Sequence, residues 1–344
     1  MRPDVAASIA GMPKAELHLH LEGAVSPRLA AELQARYGAP VAATATEIPS
    51  GFRDLDSFLA AYGAICRSMR NAEDFRAAAW ETLSRAAASS VRHLELFFSP
   101  HAHDGVAYSE MLDGILEAFD AARSAFGMTA LLIPAHNREH GPERGMAFLE
   151  MVLSDRRDRV AGIGLDYAEL PHPPAPFAAM YARARAEGLH VTAHAGEEGP
   201  AAYVRDTVEL LGCRRVDHGY HVIDDLALVE RCRELDVLFT VCPTTTLNTT
   251  CWRDLSAKDH AIRRMIELGL RVSIATDDPG LFATDLDREY GLVADRFSLP
   301  DATLDAIALN GATHCWLPET ERAALVNRFR ADLAAARAGR AHPA

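Results

Sequence analysis

Glu16-Leu17-His18-Leu19-His20-Leu21-Glu22-Gly23 sets two histidines two residues apart in an otherwise apolar, alternating run. Side chains at i and i+2 of a strand share a face, so His18 and His20 can converge on one ion. Three later segments repeat the plan of a short apolar run that ends in groups able to bind metal or move protons. These are 190–194, followed by Ala195-Gly196-Glu197; 215–218, followed by Gly219; and 271–276, followed by Asp277-Asp278-Pro279.

Working outward, eight strand-like runs are readable: 15–20, 91–98, 129–134, 162–166, 190–194, 215–218, 238–242 and 271–276. From the third run onward the ends fall roughly 24 to 35 residues apart, which leaves room for one helix and two loops per unit. This rhythm predicts βα repeats on a parallel sheet, and eight strands is the number of the (β/α)8 TIM barrel. Helical patterns over 180–187 and 201–211 stop at Gly188 and Gly212, a C-cap signal, and a third covers 224–235. The stretch 26–90 is too long for one connection and predicts a helical insertion after the first strand. Within it Phe58, Tyr62, Ile65 and Met69 follow helical spacing, either as an apolar lid over the barrel mouth or as a helix packed on its side. The Ala- and Arg-rich tail 331–344 predicts a fraying last helix.

A chain of 344 residues suits one such barrel with insertions, so residues 1–344 are expected to form a single domain. With 49% hydrophobic and 24% charged residues it has material for a large core. The net charge of −13 opposes binding to nucleic acid, whose phosphates need Lys and Arg, and favours a small neutral substrate. Six dispersed cysteines without a C-x-x-C pair predict reduced core residues rather than a disulfide framework. Residues 1–10 hold no signal-peptide core and no run reaches membrane-spanning length, so the expected location is cytoplasmic.

In a barrel of this kind the site forms at the C-terminal strand ends, where His20, His194, His218 and Asp277 stand. Three neutral imidazoles and a carboxylate suit Zn2+, with water completing the shell. Glu197 lies near enough to His194 to exchange protons with a substrate without ligating the metal. His218 is either a fourth imidazole ligand or a base that orients water, and its neighbour Asp217 reads as structural. Of Asp277 and Asp278, one can bind metal while the other faces substrate. His101-Ala102-His103 repeats the H-x-H spacing, but in a polar loop beyond Pro100. His20-Leu21-Glu22 and His93-Leu94-Glu95 match half of a cytidine-deaminase zinc motif whose P-C-x-x-C half is missing. No G-x-S-x-G, P-loop or G-x-G-x-x-G sequence supports serine hydrolysis, phosphoryl transfer or dinucleotide binding.

Met12-Pro13-Lys14-Ala15 continuing into Glu16–Gly23, then His194-Ala195-Gly196-Glu197, Asp217-His218-Gly219 and Thr276-Asp277-Asp278-Pro279, taken in order, resemble the adenosine/adenine deaminase family of the amidohydrolase superfamily. The likeness runs from about residue 11 to 329, through Cys242-Pro243 and Leu317-Pro318-Glu319. The resemblance implies zinc-dependent hydrolytic deamination of an aminopurine, with one zinc per chain held by His18, His20, His194 and Asp277. It implies Glu197 as the acid that protonates the ring, His218 as the group that orients the attacking water, and Asp278 on ring N7. His20, Glu22, Gly164, Asp166 and Glu169 are expected beside the substrate on the same ground, and Phe58 and Tyr62 are expected there as part of the lid that their helical spacing allows. No lysine stands near Asp166, so a carbamylated two-metal site is not implied.

Two residues depart from the family pattern. Glu22 replaces an Asp associated with the ribose 5′-hydroxyl, and Glu169 replaces a glycine that approaches the purine through its backbone. A carboxylate acceptor at Glu22, left unpaired beside a bare base, would be costly, so a nucleoside is expected, adenosine first, with adenine or a larger 6-aminopurine nucleoside as alternatives. Glu169 is expected to narrow the pocket or bond a ring nitrogen. The rival class, a catalytically dead barrel used for binding, would be expected to lack some of these ligands.

Overall fold

In the computed structural model, which describes residues 5–6, 9–37 and 55–341, each apolar run becomes a strand. They are β1 (Lys14–His20), β2 (Val91–Phe98), β3 (Thr129–Asn137), β4 (Gly162–Asp166), β5 in two pieces (His190–Val191 and His194–Ala195), β6 (Arg215–His218), β7 (Leu238–Val241) and β8 (Arg271–Ile274). All neighbours pair in parallel. The ladder is interrupted at Thr192 and Ala193, where Thr192 N–H donates to Ile163 O (3.1 Å) and Asp217 N–H to Ala193 O (3.0 Å). The last strand returns to the first: Asp277 N–H donates to His18 O (3.2 Å) and His20 N–H to Asp277 O (2.9 Å). The result is a (β/α)8 barrel.

The strands are buried on both faces because helices cover the outside while the barrel fills its own interior; β1 is buried at every position, its polar residues Lys14, Glu16, His18 and His20 included. β3 extends past Pro134, where the sequence pattern stopped, because Ala135, His136 and Asn137 pair with Gly164, Leu165 and Asp166 of β4. The capping signals work as expected. Helices Ala178–Ala186 and Ala201–Glu209 are followed by Gly188 and Gly212 at φ +75° and +74°, and Leu226–Glu234 starts where the Asp225 side chain accepts from Leu228 N–H (3.1 Å).

Between β1 and β2 the described residues form a short helical turn, Leu21–Ala24, and helices Pro27–Arg36, Leu55–Cys66 and Ala72–Ala88. Ala72–Ala88 belongs to the outer ring and crosses Tyr108–Phe126 closely: a Cβ at Gly114 would lie 2.1 Å from Ala72 O. Leu55–Cys66 instead reaches the barrel mouth, as described below. The last helix, Glu319–Ala341, continues through most of the stretch expected to fray; residues 342–344 lie outside the described ones. All six cysteines are free, Cys251 exposed and the others buried. Among the described residues no helix is long and apolar enough to cross a membrane.

At the N-terminal end of the barrel a buried polar cluster closes the floor. Glu95 accepts from Arg215 Nη1 (2.5 Å), Trp316 N–H (2.5 Å) and His93 Nε2 (3.2 Å), and His93 Nδ1 meets Thr129 Oγ1 at 2.8 Å. Arg215 also lies over the Trp316 ring, 4.1 Å from its centroid.

Candidate active site

His18 and His20 leave β1 on one face, as their period-2 spacing requires, and meet His194 from β5 and Asp277 just beyond β8. One ligand atom from each of the four lies within 4.8 Å of the others. His20 Nε2 is 3.1 Å from His194 Nε2, and Asp277 Oδ1 is 3.1 Å from His18 Nε2 and 3.5 Å from His20 Nε2. Two donors bound at about 2.0–2.1 Å in a tetrahedral shell stand roughly 3.3 Å apart, so this spacing already fits one ion. The remote ring nitrogens are committed elsewhere: His194 Nδ1 contacts Leu165 O (3.1 Å), and His18 Nδ1 contacts Thr240 Oγ1 (3.0 Å), which donates to Asp217 Oδ1 (2.8 Å). With Nδ1 donating, each Nε2 keeps a lone pair for metal. His18 Nε2 is buried and faces Asp277 Oδ1, another ligand atom of the same quartet, so the donor set fits a divalent cation.

Phe97 lies beneath the three imidazoles, its ring centroid 5.1–5.8 Å from theirs. Gly164 makes room for it; a Cβ there would come within 2.8 Å of Phe97 Cε1. Gly164, expected beside the substrate, therefore serves the packing under the histidines.

Glu197, at the turn after β5, points over this cluster. Its Oε1 accepts from Thr249 Oγ1 (2.8 Å) and its Oε2 is 3.4 Å from His218 Nε2. Burial, with Asp277 and Glu169 nearby, pushes its carboxyl up to about 8. His218 stands outside the four-ligand group, with Nε2 3.9 Å from Asp277 Oδ2 and Nδ1 3.3 Å from Tyr220 OH; burial pushes its imidazole down to about 3. A neutral carboxyl and a neutral imidazole side by side supply a proton donor and a proton acceptor.

Asp278 packs on Gly23 so closely that a Cβ at Gly23 would fall 1.6 Å from its Oδ1. That oxygen is buried without a partner, and burial, then Asp277, holds the carboxyl well above its usual range. Successive strand residues normally face opposite ways, yet Asp277 and Asp278 both reach the cavity. The turn is made at Asp277, whose φ of +63° is left-handed; Tyr167 (+68°) and His218 (+67°) do the same at other strand ends.

The two departures from the family pattern take up other work than expected. Glu22 is no open acceptor: Oε1 takes Ser99 N–H (2.9 Å) and faces His103 Nε2 (2.9 Å), and Oε2 takes Tyr62 OH (3.1 Å). It is fully buried, and although burial opposes its charge, the bond to His103 holds the carboxyl low. The premise of an unpaired acceptor awaiting a ribose hydroxyl is thus overturned. Glu169 turns from the ring position toward the 196–199 turn, where it accepts N–H bonds from Gly196 (3.0 Å), Glu197 (2.9 Å) and Gly199 (2.7 Å). Arg138, also buried, donates to His194 O from behind the same segment.

These residues surround a cavity of about 690 Å³, counted with its open mouth. Phe58 and Tyr62 of Leu55–Cys66 stand on its wall with His20, Asp166 and Phe282, and Phe58 stacks on Phe282 at 5.5 Å. Thr245, which bonds Asp277 Oδ2 (2.8 Å), and Thr249 belong to the helix after β7, where the sequence showed only a run of threonines. His103 was set aside as a loop histidine and in fact anchors Glu22. His101 remains away from the four-ligand group, against His136 and His140.

The family model for adenosine deaminase matches residues 13–331. The adenine deaminase of Cupriavidus taiwanensis is 38% identical over 93% of this chain and 92% of its own length, and that of Sphingopyxis alaskensis 38% over 92% and 94%. The crystal structure of adenine deaminase from Arthrobacter aurescens superposes with a TM-score of 0.87 at 33% identity, covering 93% of this chain and 98% of that one. A zinc-bound amidohydrolase from Burkholderia ambifaria gives 0.88 at 34%, covering 98% and 96%.

Proposed function

The chain belongs to the adenosine deaminase family of hydrolytic deaminases, and from that premise we propose that it converts free adenine and water to hypoxanthine and ammonia in a pocket with a single zinc ion. The observation that carries the reading is the convergence of His18, His20, His194 and Asp277 directly beside Glu197, His218 and Asp278. The base rather than the nucleoside is favoured by the relatives that act on adenine and by Glu22, whose oxygens are already paired. Adenosine, the expectation from sequence, loses the argument that supported it.

Zinc bound at this quartet would supply Lewis acidity and lower the pKa of water from 15.7 to about 7. The chain's own groups do the rest. Glu197, held neutral, delivers its proton to N1 and makes C6 electrophilic, while neutral His218 takes the proton of the attacking water and passes it to the amino group, which leaves as ammonia as the C6 hydroxyl returns a proton to Glu197. Asp278 donates to N7 and fixes the ring in plane. Thr249 and Thr245 hold Glu197 and Asp277 in position. Phe58 and Tyr62 act as a cover that excludes water once the base is bound. Hydrogen exchange in Leu55–Cys66 should slow on adding a tight purine inhibitor; unchanged exchange assigns that helix to packing alone.

The test is kcat/KM for adenine, adenosine and 2′-deoxyadenosine, with ammonia release and metal content measured on the same preparation. Adenine should lead by at least tenfold with close to one zinc per chain. Faster adenosine turnover returns the assignment to the nucleoside, and a metal content near two removes the mononuclear site.

A further inference from the structure

Left-handed backbone is disfavoured outside glycine, most of all for a bulky side chain, so it persists where the position of that side chain matters. Three C-terminal strand ends carry it: Tyr167 after β4 (φ +68°), His218 closing β6 (+67°) and Asp277 after β8 (+63°). Of the three, Tyr167 is the residue type least suited to it. His218 and Asp277 belong to the site already described, and Tyr167 has no part in that chemistry. Its ring stands on the cavity wall and meets the Tyr62 ring edge to face, with centroids 6.1 Å apart and planes at 86°. Tyr62 lies 6.0 Å from Phe58, which stacks on Phe282 at 5.5 Å. The four rings run in a row across the mouth, from the segment after β8, through helix Leu55–Cys66, to the end of β4.

We infer that Tyr167 is the fixed jaw against which helix Leu55–Cys66 closes, and that the closed row of rings turns away purines substituted at N9. This rests on the adenine reading above and deepens it. With C6 beside the metal quartet, N1 at Glu197 and N7 at Asp278, the N3/N9 edge of the base faces away from the quartet, toward the mouth that the row spans. A bare base leaves the row closed, whereas a ribose on N9 has to displace a ring from it. The helix is tied down on its other side: Tyr62 OH donates to Glu22 Oε2 (3.1 Å), and Cys66 O faces His103 Nδ1 (3.0 Å). Those bonds set where the helix ends, and the Tyr167 ring, held out from β4 by its left-handed backbone, sets how far Tyr62 can swing. Tyr167 therefore acts on the substrate through Tyr62, as a positioning residue.

The experiment crosses two substitutions with two substrates. Tyr167→Gly removes the ring while suiting the backbone, and Tyr167→Phe keeps the ring without the hydroxyl. Both are assayed beside wild type on adenine and adenosine, with zinc content and Tm recorded. In Tyr167→Gly the ratio of kcat/KM for adenosine to that for adenine should rise at least about tenfold, and in Tyr167→Phe it should stay within about threefold of wild type. Equal changes on both substrates overturn the inference and leave the adenine reading standing. A Phe variant as altered as the Gly variant also overturns it, because the hydroxyl rather than the ring would then be acting. Wild type that prefers adenosine sinks the adenine reading itself, and hydrogen exchange then decides the jaw: with saturating hypoxanthine, amides of Leu55–Cys66 should exchange at least about tenfold faster in Tyr167→Gly than in wild type, and equal rates overturn the contact. Should Tyr167→Gly fold poorly, Tyr62→Leu, which removes the other ring of the pair, should shift the substrate ratio in the same direction, and an unshifted ratio overturns the assignment.

Discussion

The two ends of this barrel carry nearly the same residue types and do opposite things. At the floor, His93, Glu95 and Cys315 lie close enough to hold a metal, as His18, His20, His194 and Asp277 do at the mouth. At the floor, however, Arg215 supplies the positive charge, and Glu95 also takes Trp316 N–H and the His93 ring. At the mouth Asp278 Oδ1 has no partner, His18 Nε2 faces Asp277 Oδ1 of the same quartet (3.1 Å), and the remote ring nitrogens of His18 and His194 are tied back to the scaffold. Ligand-type residues in proximity therefore do not make a site. Buried atoms without partners beside an open cavity do, because protein interiors pair polar groups unless a ligand completes them.

Matched substitutions at the two ends test that contrast. The largest effect should come from His194→Ala, which removes one of the four proposed ligands; zinc and activity should be lost together, by at least about a thousandfold in kcat/KM. His93→Ala at the floor should leave zinc stoichiometry unchanged, and zinc loss there would break the comparison. Glu197→Gln should keep the metal and lower kcat by about 10²- to 10⁴-fold; a zinc-replete variant with normal kcat removes Glu197 as the acid.

Glu169→Gln comes next. Its carboxylate holds three N–H groups of the 196–199 turn, and an amide can serve them only in part. The expected result is a kcat lower by roughly tenfold with KM and zinc retained, since the turn carries Glu197 but no ligand beyond His194. A rise in KM with kcat intact would make Glu169 a binding residue instead. The smallest effect on turnover belongs to Arg215→Met. Breaking one side of a buried ion pair costs about 3–5 kcal/mol, so thermal unfolding should show a lower Tm while kcat per folded molecule stays within twofold. Lost activity at unchanged Tm would show that the floor is coupled to the chemistry.

What the sequence made legible follows the same divide. The strand ends and the His18/His20 pair were readable because side-chain alternation is local, and the glycine caps because left-handed φ favours glycine. The partners of these groups were not. Glu22 finds Ser99 and His103 across the sheet, far along the chain, and nothing near either residue encodes that meeting. Gly164 was read as a substrate contact because a family pattern gives its position, while its reason, the ring of Phe97, lies on another strand. Asp277, His218 and Tyr167 adopt left-handed backbone, which Asp and His favour too weakly to be read from the sequence and Tyr does not announce at all. Local periodicity therefore located the chemistry, and tertiary packing decided which carboxylate touches what.

The seam between β1 and β8 has a consequence for assembly. His18 and His20 lie near the start of the chain and Asp277 near its end, joined by two backbone hydrogen bonds and by Gly280 and Leu281 N–H bonds to Gly23 O (2.8 and 3.1 Å). An ion gripping both strands closes a loop containing most of the polypeptide, and the entropy cost of such closure grows by only about 0.6 kcal/mol per doubling of length. A metal held by these four residues would then be a clasp as well as a source of Lewis acidity. A nascent chain has no complete active centre until its eighth strand has been synthesised, and the metal-free protein should begin to unzip between its first strand and its last.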